Sequence, residues 1–291
     1  MTQRSPEAPS SPVIGLQLYS VKDELDKDLP GTLRALAAMG CRTVEAANFA
    51  TNLDPVQLRT ALDAVGMDCL SAHVPLPFLL GDLEPLIAEM KALGVRYVVC
   101  TAPWVEDNAR YMQAAEQGSM ESAFGDLMHT LTLDDWRWNA AQLNRIGSEL
   151  HAAGLQLAYH NHGFEFKTFE GKTAYEHLLA LTDPEHVAFE LDCGWIANAG
   201  FDPVDYLTRH GNRIALLHLK DLIHAEPGGT GLQLAGIHLG GGIVDWPAVL
   251  AAATRAGVAA CFIEQEAPFP APVLEELEAS FAYLASLTVR S

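Results

Sequence analysis

Hydrophobic and polar positions repeat along the chain in one grammar. LRALAAMG precedes CRTVEA, LDAVG precedes MDCLSAHV, and IAEMKALG precedes VRYVVCTA; SELHAAG then precedes LQLAYHN, and AAATRAG precedes VAACFIEQ. Each unit is an Ala/Leu-rich helical stretch, a glycine (Gly40, Gly66, Gly94, Gly154, Gly257) and a short apolar run. Glycine just past a helix takes the left-handed conformation cheaply. Short continuous apolar runs fit parallel strands buried on both faces. VIGLQLYS at 13–20, VAFELD at 187–192 and IALLHLKD at 214–221 add three strands, giving eight that alternate with helices. Asp54-Pro55 and Asp202-Pro203 read as helix starts, with Asp as N-cap and Pro at the first helical position.

Eight β/α units predict a single α/β domain, a (β/α)8 TIM barrel over residues 13–291, after a disordered tail at 1–12. The competing fold is an open doubly wound sheet, which usually carries a Gly-rich phosphate turn after its first strand. GLQLYSVKDEL has no such turn, and the Gly240–Gly242 triplet follows no clear strand and reads as a loop. Two long connections leave the C-terminal mouth of the barrel, where lids form: 103–133, with Trp104, Tyr111, Met112 and Phe124, and the Gly-rich 222–244.

Charge narrows the partners. The 291 residues carry 18 Lys plus Arg against 37 Asp plus Glu, a formal net charge of −19. A chain this acidic repels phosphate backbones and anionic headgroups, so neither nucleic acid nor a membrane surface is the expected partner. No apolar run reaches the roughly 18 residues of a bilayer span. The N-terminus lacks the apolar core of a secretory signal. Five widely spaced cysteines without a C-x-x-C argue against disulfides or a zinc ribbon, and for reduced thiols in a cytoplasm.

Chemistry in a barrel sits at the C-terminal strand ends. Those ends carry Gln17, Tyr19, Ser20, Glu45, His73, His160, Asn161, His162, Glu190, Asp192, His218, Lys220, Asp221, Glu264, Gln265 and Glu266, with Glu165 just beyond strand 5. Period-two alternation puts His160 with His162, Glu190 with Asp192, His218 with Lys220, and Glu264 with Glu266 on shared interior faces. Four consecutive strands thus present His, Asp, His and Glu at similar height. This mixed N/O set suits Mn²⁺, Fe²⁺, Co²⁺ or Zn²⁺ and leaves room for substrate oxygens. The bland alternative is that Glu190, Lys220 and Glu266 form a structural ion-pair network, and that Trp104 and Trp195 only pack. A lone strand-end histidine is more often structural than a ligand. Four convergent ionisable groups change that balance, because buried charges without partners cost several kcal/mol.

GLQLYSVKDEL, YHNHGFEF, ELDCGW, HLKD, GGGIVDWPAVLAAATRAGV and FIEQE resemble, over residues 13–288, the xylose isomerase-like TIM barrels described as sugar phosphate isomerases/epimerases. The resemblance implies one divalent ion, Mn²⁺ first and Zn²⁺, Co²⁺, Fe²⁺ or Mg²⁺ next, held by His160, Asp192, His218 and Glu264. His162 is the alternative ligand on strand 5. There are two departures from the ketose 3-epimerases of this superfamily. His160 stands where they place a glutamate that shuttles protons, and Trp195 where they place a histidine. The YHNHGFEF pattern looks like the branch associated with keto-sugar or inositol-derived substrates.

The leading expectation is a divalent-metal-dependent isomerase or epimerase that turns a sugar or keto-sugar over through an enediolate. A keto-sugar or inosose-type dehydratase or hydratase on the same site is the alternative. An abasic-site endonuclease is a distant one, opposed by the missing basic groove. An inert binding barrel is opposed by the ligand set. Expected catalytic residues are Glu165, Glu264, Lys220 and His73: Glu165 as acid/base, His73 as second proton carrier, Lys220 stabilising the enediolate charge, and Glu264 or Lys220 as the alternative base. Gln17, Tyr19, Glu45, Trp104, His162 and Trp195 are expected to contact substrate. A homo-oligomer is left open.

Overall fold

The computed structural model describes residues 11–47, 54–109, 111–112, 120–225 and 235–288. Eight parallel strands close into a barrel: β1 Val13–Gln17, β2 Thr43–Ala46, β3 Asp68–Val74, β4 Tyr97–Cys100, β5 Gln156–His160, β6 Val187–Asp192, β7 Ile214–Leu219 and β8 Ala260–Ile263. Each pairs with its neighbours in sequence, and β8 returns to β1 with Val13 opposite Ala260. Closure excludes the open sheet. The expected tail falls mostly on residues 1–10, outside the described residues.

The helix starts and stops follow their sequence signals. Asp54 caps Pro55–Asp63 by accepting from the Val56 and Gln57 amides. Asp202 caps Pro203–His210 by accepting from the Val204 amide. Gly94 and Gly257 end their helices at φ of 85° and 76°. The main apolar core lies between barrel and helices. A second, smaller cluster inside the barrel contains Tyr97, Val99, Ala158, Leu216, Ala260 and Phe262. It plugs the barrel and sets a floor. Ala158 and Leu216 are each two residues before a site histidine, so His160 and His218 rise from the next layer up.

Three expected boundaries shift. β1 stops at Gln17, and Leu18–Val21 form a 3₁₀ turn that carries Tyr19 and Ser20. The connection 103–133 holds a helix, Met120–Thr130. In 222–244, Asp221–Leu222 pairs antiparallel with Gly236–Ile237. Parts of both connections (110, 113–119 and 226–234) lie outside the described residues. The Gly240–Gly242 loop wraps a carboxylate: Asp221 accepts from the Leu222, Gly240, Gly242 and Val244 amides and from the Trp246 indole. An internal anion already occupies these donors, which leaves this loop no role as a phosphate cradle.

Candidate active site and metal centre

Strand register brings the polar residues together. His160 on β5 is level with Glu190 on β6, and Asp192 is level with His218 on β7. Asp192 also caps the helix Cys193–Asn198, its Oδ1 accepting from the Trp195 amide at 2.8 Å. Asn161 reaches across from β5, its side-chain oxygen accepting from the Asp192 amide at 3.0 Å. Gly194 lets this helix start lie against β7, because a Cβ there would sit 2.8 Å from the Lys220 backbone oxygen.

His160, Asp192, His218 and Glu264 offer ligand atoms that all lie within 4.8 Å of one another, and all four residues are buried. His218 Nδ1 is 2.9 Å from Glu264 Oε2 and 3.8 Å from Asp192 Oδ2. Asp192 Oδ2 is buried without a hydrogen bond; Lys220 Nζ, at 3.5 Å, is the cation beside it. An orphaned buried carboxylate oxygen facing two imidazoles and a second carboxylate is what a divalent ion would satisfy. The donor set therefore fits one.

A second layer holds the first. Glu45 and Glu190 are fully buried. Glu45 Oε1 lies 2.7 Å from His218 Nε2 and 2.9 Å from His73 Nε2; Glu190 Oε2 lies 2.8 Å from His73 Nε2 and 3.1 Å from His160 Nδ1. Gln17 and Ser71 donate to the Glu45 carboxylate. Burial alone would raise Glu45, but the His73 charge and hydrogen bonds from His218 and His73 hold it well below the usual carboxylate range. Burial would lower His73, but the Glu45 charge and its bonds to Glu190 and Glu45 lift it to about 9. Burial and the neighbouring Glu45 charge push Glu190 up to about 7. His73, His160, Glu190 and His218 form a second group of metal-ligand spacing. A protonated His73 between Glu45 and Glu190 balances part of that group's charge, while Glu190 Oε1 is buried without a hydrogen bond.

Lys220 Nζ lies 2.9 Å from Glu264 Oε2 and 3.2 Å from Glu266 Oε1, and 5.3 Å from the centre of the Trp195 ring. Burial opposes its charge, but Glu264, Glu266 and Asp192 hold its pKa well above the usual lysine value. Three carboxylates within 3.5 Å favour its charged form, which suits the expected role of stabilising charge over that of a base.

A cavity of about 820 Å³ opens over the cluster. Of the expected site residues, Tyr19, His73, His160, His162, Trp195 and Glu264 line it. Gln17 and Glu45, expected to touch substrate, are fully buried in the layer below and act through His218. Trp104 is set back: its ring packs on Tyr111 and Phe124, and of these three Phe124 is on the cavity wall. Glu165 is also misplaced as an acid/base. Beyond β5 the chain turns through a 3₁₀ segment, Phe164–Phe166, which brings Glu165 back onto the Tyr159 hydroxyl. There it is fully buried, accepting from the Tyr159 hydroxyl at 2.7 Å and the His162 amide at 2.9 Å. Glu266 and Gln265, beyond β8, are on the cavity wall. Their interior phase with Glu264 was the signal for Glu266; nothing in the spacing marks Gln265.

Similarity to known proteins follows the same lines. An inosose dehydratase of Lacticaseibacillus casei is 32% identical over 121 residues, 39% of each chain. The match thus spans about two fifths of that relative's length. A sugar phosphate isomerase/epimerase from Parabacteroides distasonis superposes with a TM-score of 0.72 at 24% identity, over 97% of this chain and 96% of that one. An IolI protein with a bound zinc atom superposes with a TM-score of 0.70 at 15% identity, over 96% of this chain and 98% of that one. The sequence profile of the xylose isomerase-like TIM barrels matches residues 33–287, and the chain belongs to that family.

Proposed function

We propose that the protein is a divalent-metal-dependent enzyme that enolises a sugar or keto-sugar. The observation that carries this is the convergence of His160, Asp192, His218 and Glu264 at the floor of a closed barrel, below a cavity walled by Trp195 and Phe124. These four residues would hold a divalent ion, Mn²⁺ as first choice, which would supply Lewis acidity at a substrate carbonyl. The zinc in the similarly folded IolI structure supports an ion on this scaffold.

The chain's own residues supply the rest. Lys220 places a fixed positive charge beside Glu264, where negative charge on an enediolate oxygen is favoured. Trp195 and Phe124 offer ring faces to the C–H side of a sugar. Glu266 replaces Glu165 as the proton acceptor: it faces the cavity, and burial raises its carboxyl above the ordinary range. It takes the proton from the carbon beside the carbonyl, the C–H pair forms the C=C bond, and the carbonyl π pair moves to oxygen. Return of a proton to the other carbon, or to the opposite face, completes isomerisation or epimerisation.

The dehydratase reading has a specific observation in its favour. His160 removes the strand-5 carboxylate that a two-carboxylate shuttle needs, while His73 faces the cavity held in its protonated form by Glu45 and Glu190. An acid so placed can protonate a β-hydroxyl, which leaves as water as the electron pair of the enediolate forms the unsaturated ketone. The relatives named inosose dehydratase support it. Incubation with Mn²⁺ and a panel of keto-sugars and inososes in D₂O tests both. Deuterium next to the carbonyl is expected, and the product spectrum separates isomer from enone. No exchange with any of the panel, together with no bound metal, overturns the proposal.

A further inference from the structure

Glu266, the proposed proton acceptor, stands on irregular chain. β8 ends at Ile263, the last helix begins at Val273, and residues 264–272 between them are neither helix nor strand. The Glu264 amide is still tied to the barrel, donating to the Leu219 carbonyl at 3.1 Å. Glu266 lies two residues further on. Its ion pair with Lys220 at 3.2 Å engages the carboxylate and leaves the backbone to be held by something else. A base works only within hydrogen-bond reach of the proton it removes, so that backbone needs an anchor.

The anchors fall on the residue before it. The Gln265 amide donates to Ser20 Oγ at 2.9 Å, and this bond is buried. The Gln265 side chain donates to Glu276 Oε2, on the last helix, at the longer distance of 3.4 Å. The Ser20 bond is thus the shorter of the two and acts directly on the backbone, one residue before Glu266.

Ser20 is itself fixed from below. It rides on the 3₁₀ turn after β1, and Gln17 caps that turn, its Oε1 accepting from the Tyr19 amide at 3.0 Å. The other end of the Gln17 amide donates to Glu45 Oε1 at 2.8 Å. A carboxylate only accepts, so Gln17 has one orientation that serves both partners. Glu45 is also the carboxylate 2.7 Å from His218 Nε2. Contacts therefore run without a break from the layer beneath the ligand cluster, through Gln17 and the turn, to the backbone that carries Glu266. Ser20 is on the cavity wall, but it is only 4% exposed and its oxygen already serves the Gln265 amide.

We propose that Ser20 is a positioning residue for Glu266: its hydroxyl holds the Gln265 amide and so keeps the segment after β8 where Glu266 meets Lys220. This rests on Glu266 as the proton acceptor and adds what holds it there.

The test has an arm without substrate and one with it. In the first, amide hydrogen exchange at Gln265 is followed by NMR in the Mn²⁺-loaded protein. It should be at least about tenfold faster in Ser20→Ala, while Ser20→Thr, which keeps the acceptor, should retain the protection. In the second, 2-keto-myo-inositol and 3-keto-glucose are the probes, and exchange of the proton beside the ketone is followed in D₂O. Ser20→Ala should lower kcat by about 10–100-fold, the usual effect of a misplaced group, with KM and the Kd for Mn²⁺ within about twofold of wild type. Ser20→Thr should restore kcat. Glu266→Gln should lose the exchange by at least about 100-fold, and adding Ser20→Ala to it should cost nothing further, because no base is left to position.

A raised KM at unchanged kcat would make Ser20 a substrate contact and overturn the proposal. Unaltered Gln265 protection, unaltered kcat, or a further loss in the double variant would overturn it too, with Glu266 still the base. Full exchange by Glu266→Gln removes Glu266 from proton transfer, and this inference with it, but leaves enolisation standing. No exchange by the wild type with either probe overturns the enolisation reading and this inference together.

Discussion

Glu45 on β2 and His218 on β7 meet across the barrel axis, with Glu45 Oε1 2.7 Å from His218 Nε2. The carboxylate can only accept, so it holds a ring proton on Nε2; the carboxylates around the ring keep Nδ1 protonated as well, donating to Glu264, and Nδ1 is the nitrogen that would give up its proton to a divalent ion. Glu190 does the converse for His160, whose Nδ1 lies 3.1 Å from it, so that Nε2 is presented. Two carboxylates below the cluster thus decide which nitrogen of each histidine faces the ligand set.

Glu45→Gln tests that arrangement. The amide can turn its NH₂ toward His218 and no longer dictates the tautomer. Mn²⁺ affinity measured by calorimetry is expected to fall by about 10–100-fold, the usual cost of losing an outer partner of a metal-bound histidine. The circular dichroism spectrum should be retained. An unchanged Kd would take Glu45 out of the positioning role.

Asp192→Asn separates ligand from cap. The amide oxygen still accepts from the Trp195 amide, so the helix Cys193–Asn198 keeps its start. The charge on the second oxygen is gone. Metal content by mass spectrometry is expected to drop to background. An ion at one hundred times its Kd adds about 2.7 kcal/mol to a protein that binds it, so the wild type is expected to be stabilised by that amount and the variant not. An undiminished metal content would show that the ion is held elsewhere.

Lys220→Met leaves Asp192, Glu264 and Glu266 without the buried cation that lies within 3.5 Å of all three. Removing one partner of a buried charge cluster costs about 3–5 kcal/mol. The loss should be read in urea unfolding with EDTA present, and added Mn²⁺ should restore part of it, because a divalent ion answers the same carboxylates. Wild-type stability in EDTA would mean that Lys220 does not balance them.

The barrel was legible because one signal repeats: an apolar helix face, a glycine, a buried strand. The four clustered residues were legible because strands have period two and their register is fixed by closure. Glu165 was not, since Gly163 ends the alternation and the 3₁₀ turn after it rotates the side chain outward to Tyr159. Trp104 was not, since its connection contains a helix whose Phe124 takes the inner position. Strand phase placed Glu45 and Gln17 inside the barrel but could not set their depth, and depth decides whether a polar group meets substrate or holds the residue that does.

Glu165 yields a prediction of its own. Burial raises its carboxyl from 4.5 to about 8, outweighing the hydrogen bonds from Tyr159 and the backbone that favour the charged form. The folded chain therefore holds a proton that the unfolded chain releases above about 4.5. The resulting stability is complete below that pH and is lost as the pH rises toward 8. The whole effect is on the order of a few kcal/mol, at about 1.4 kcal/mol per pH unit of displacement. Glu165→Gln has no proton to lose, so urea unfolding at pH 5, 6.5 and 8 should show the variant gaining on the wild type as pH increases. Parallel curves would mean that the carboxyl is ionised in the fold, with Tyr159 as its donor. The same variant should keep hydrogen exchange at the carbon beside a substrate carbonyl, because both Glu165 oxygens are engaged away from the cavity. Loss of that exchange with metal binding intact would return proton transfer to Glu165 and displace Glu266.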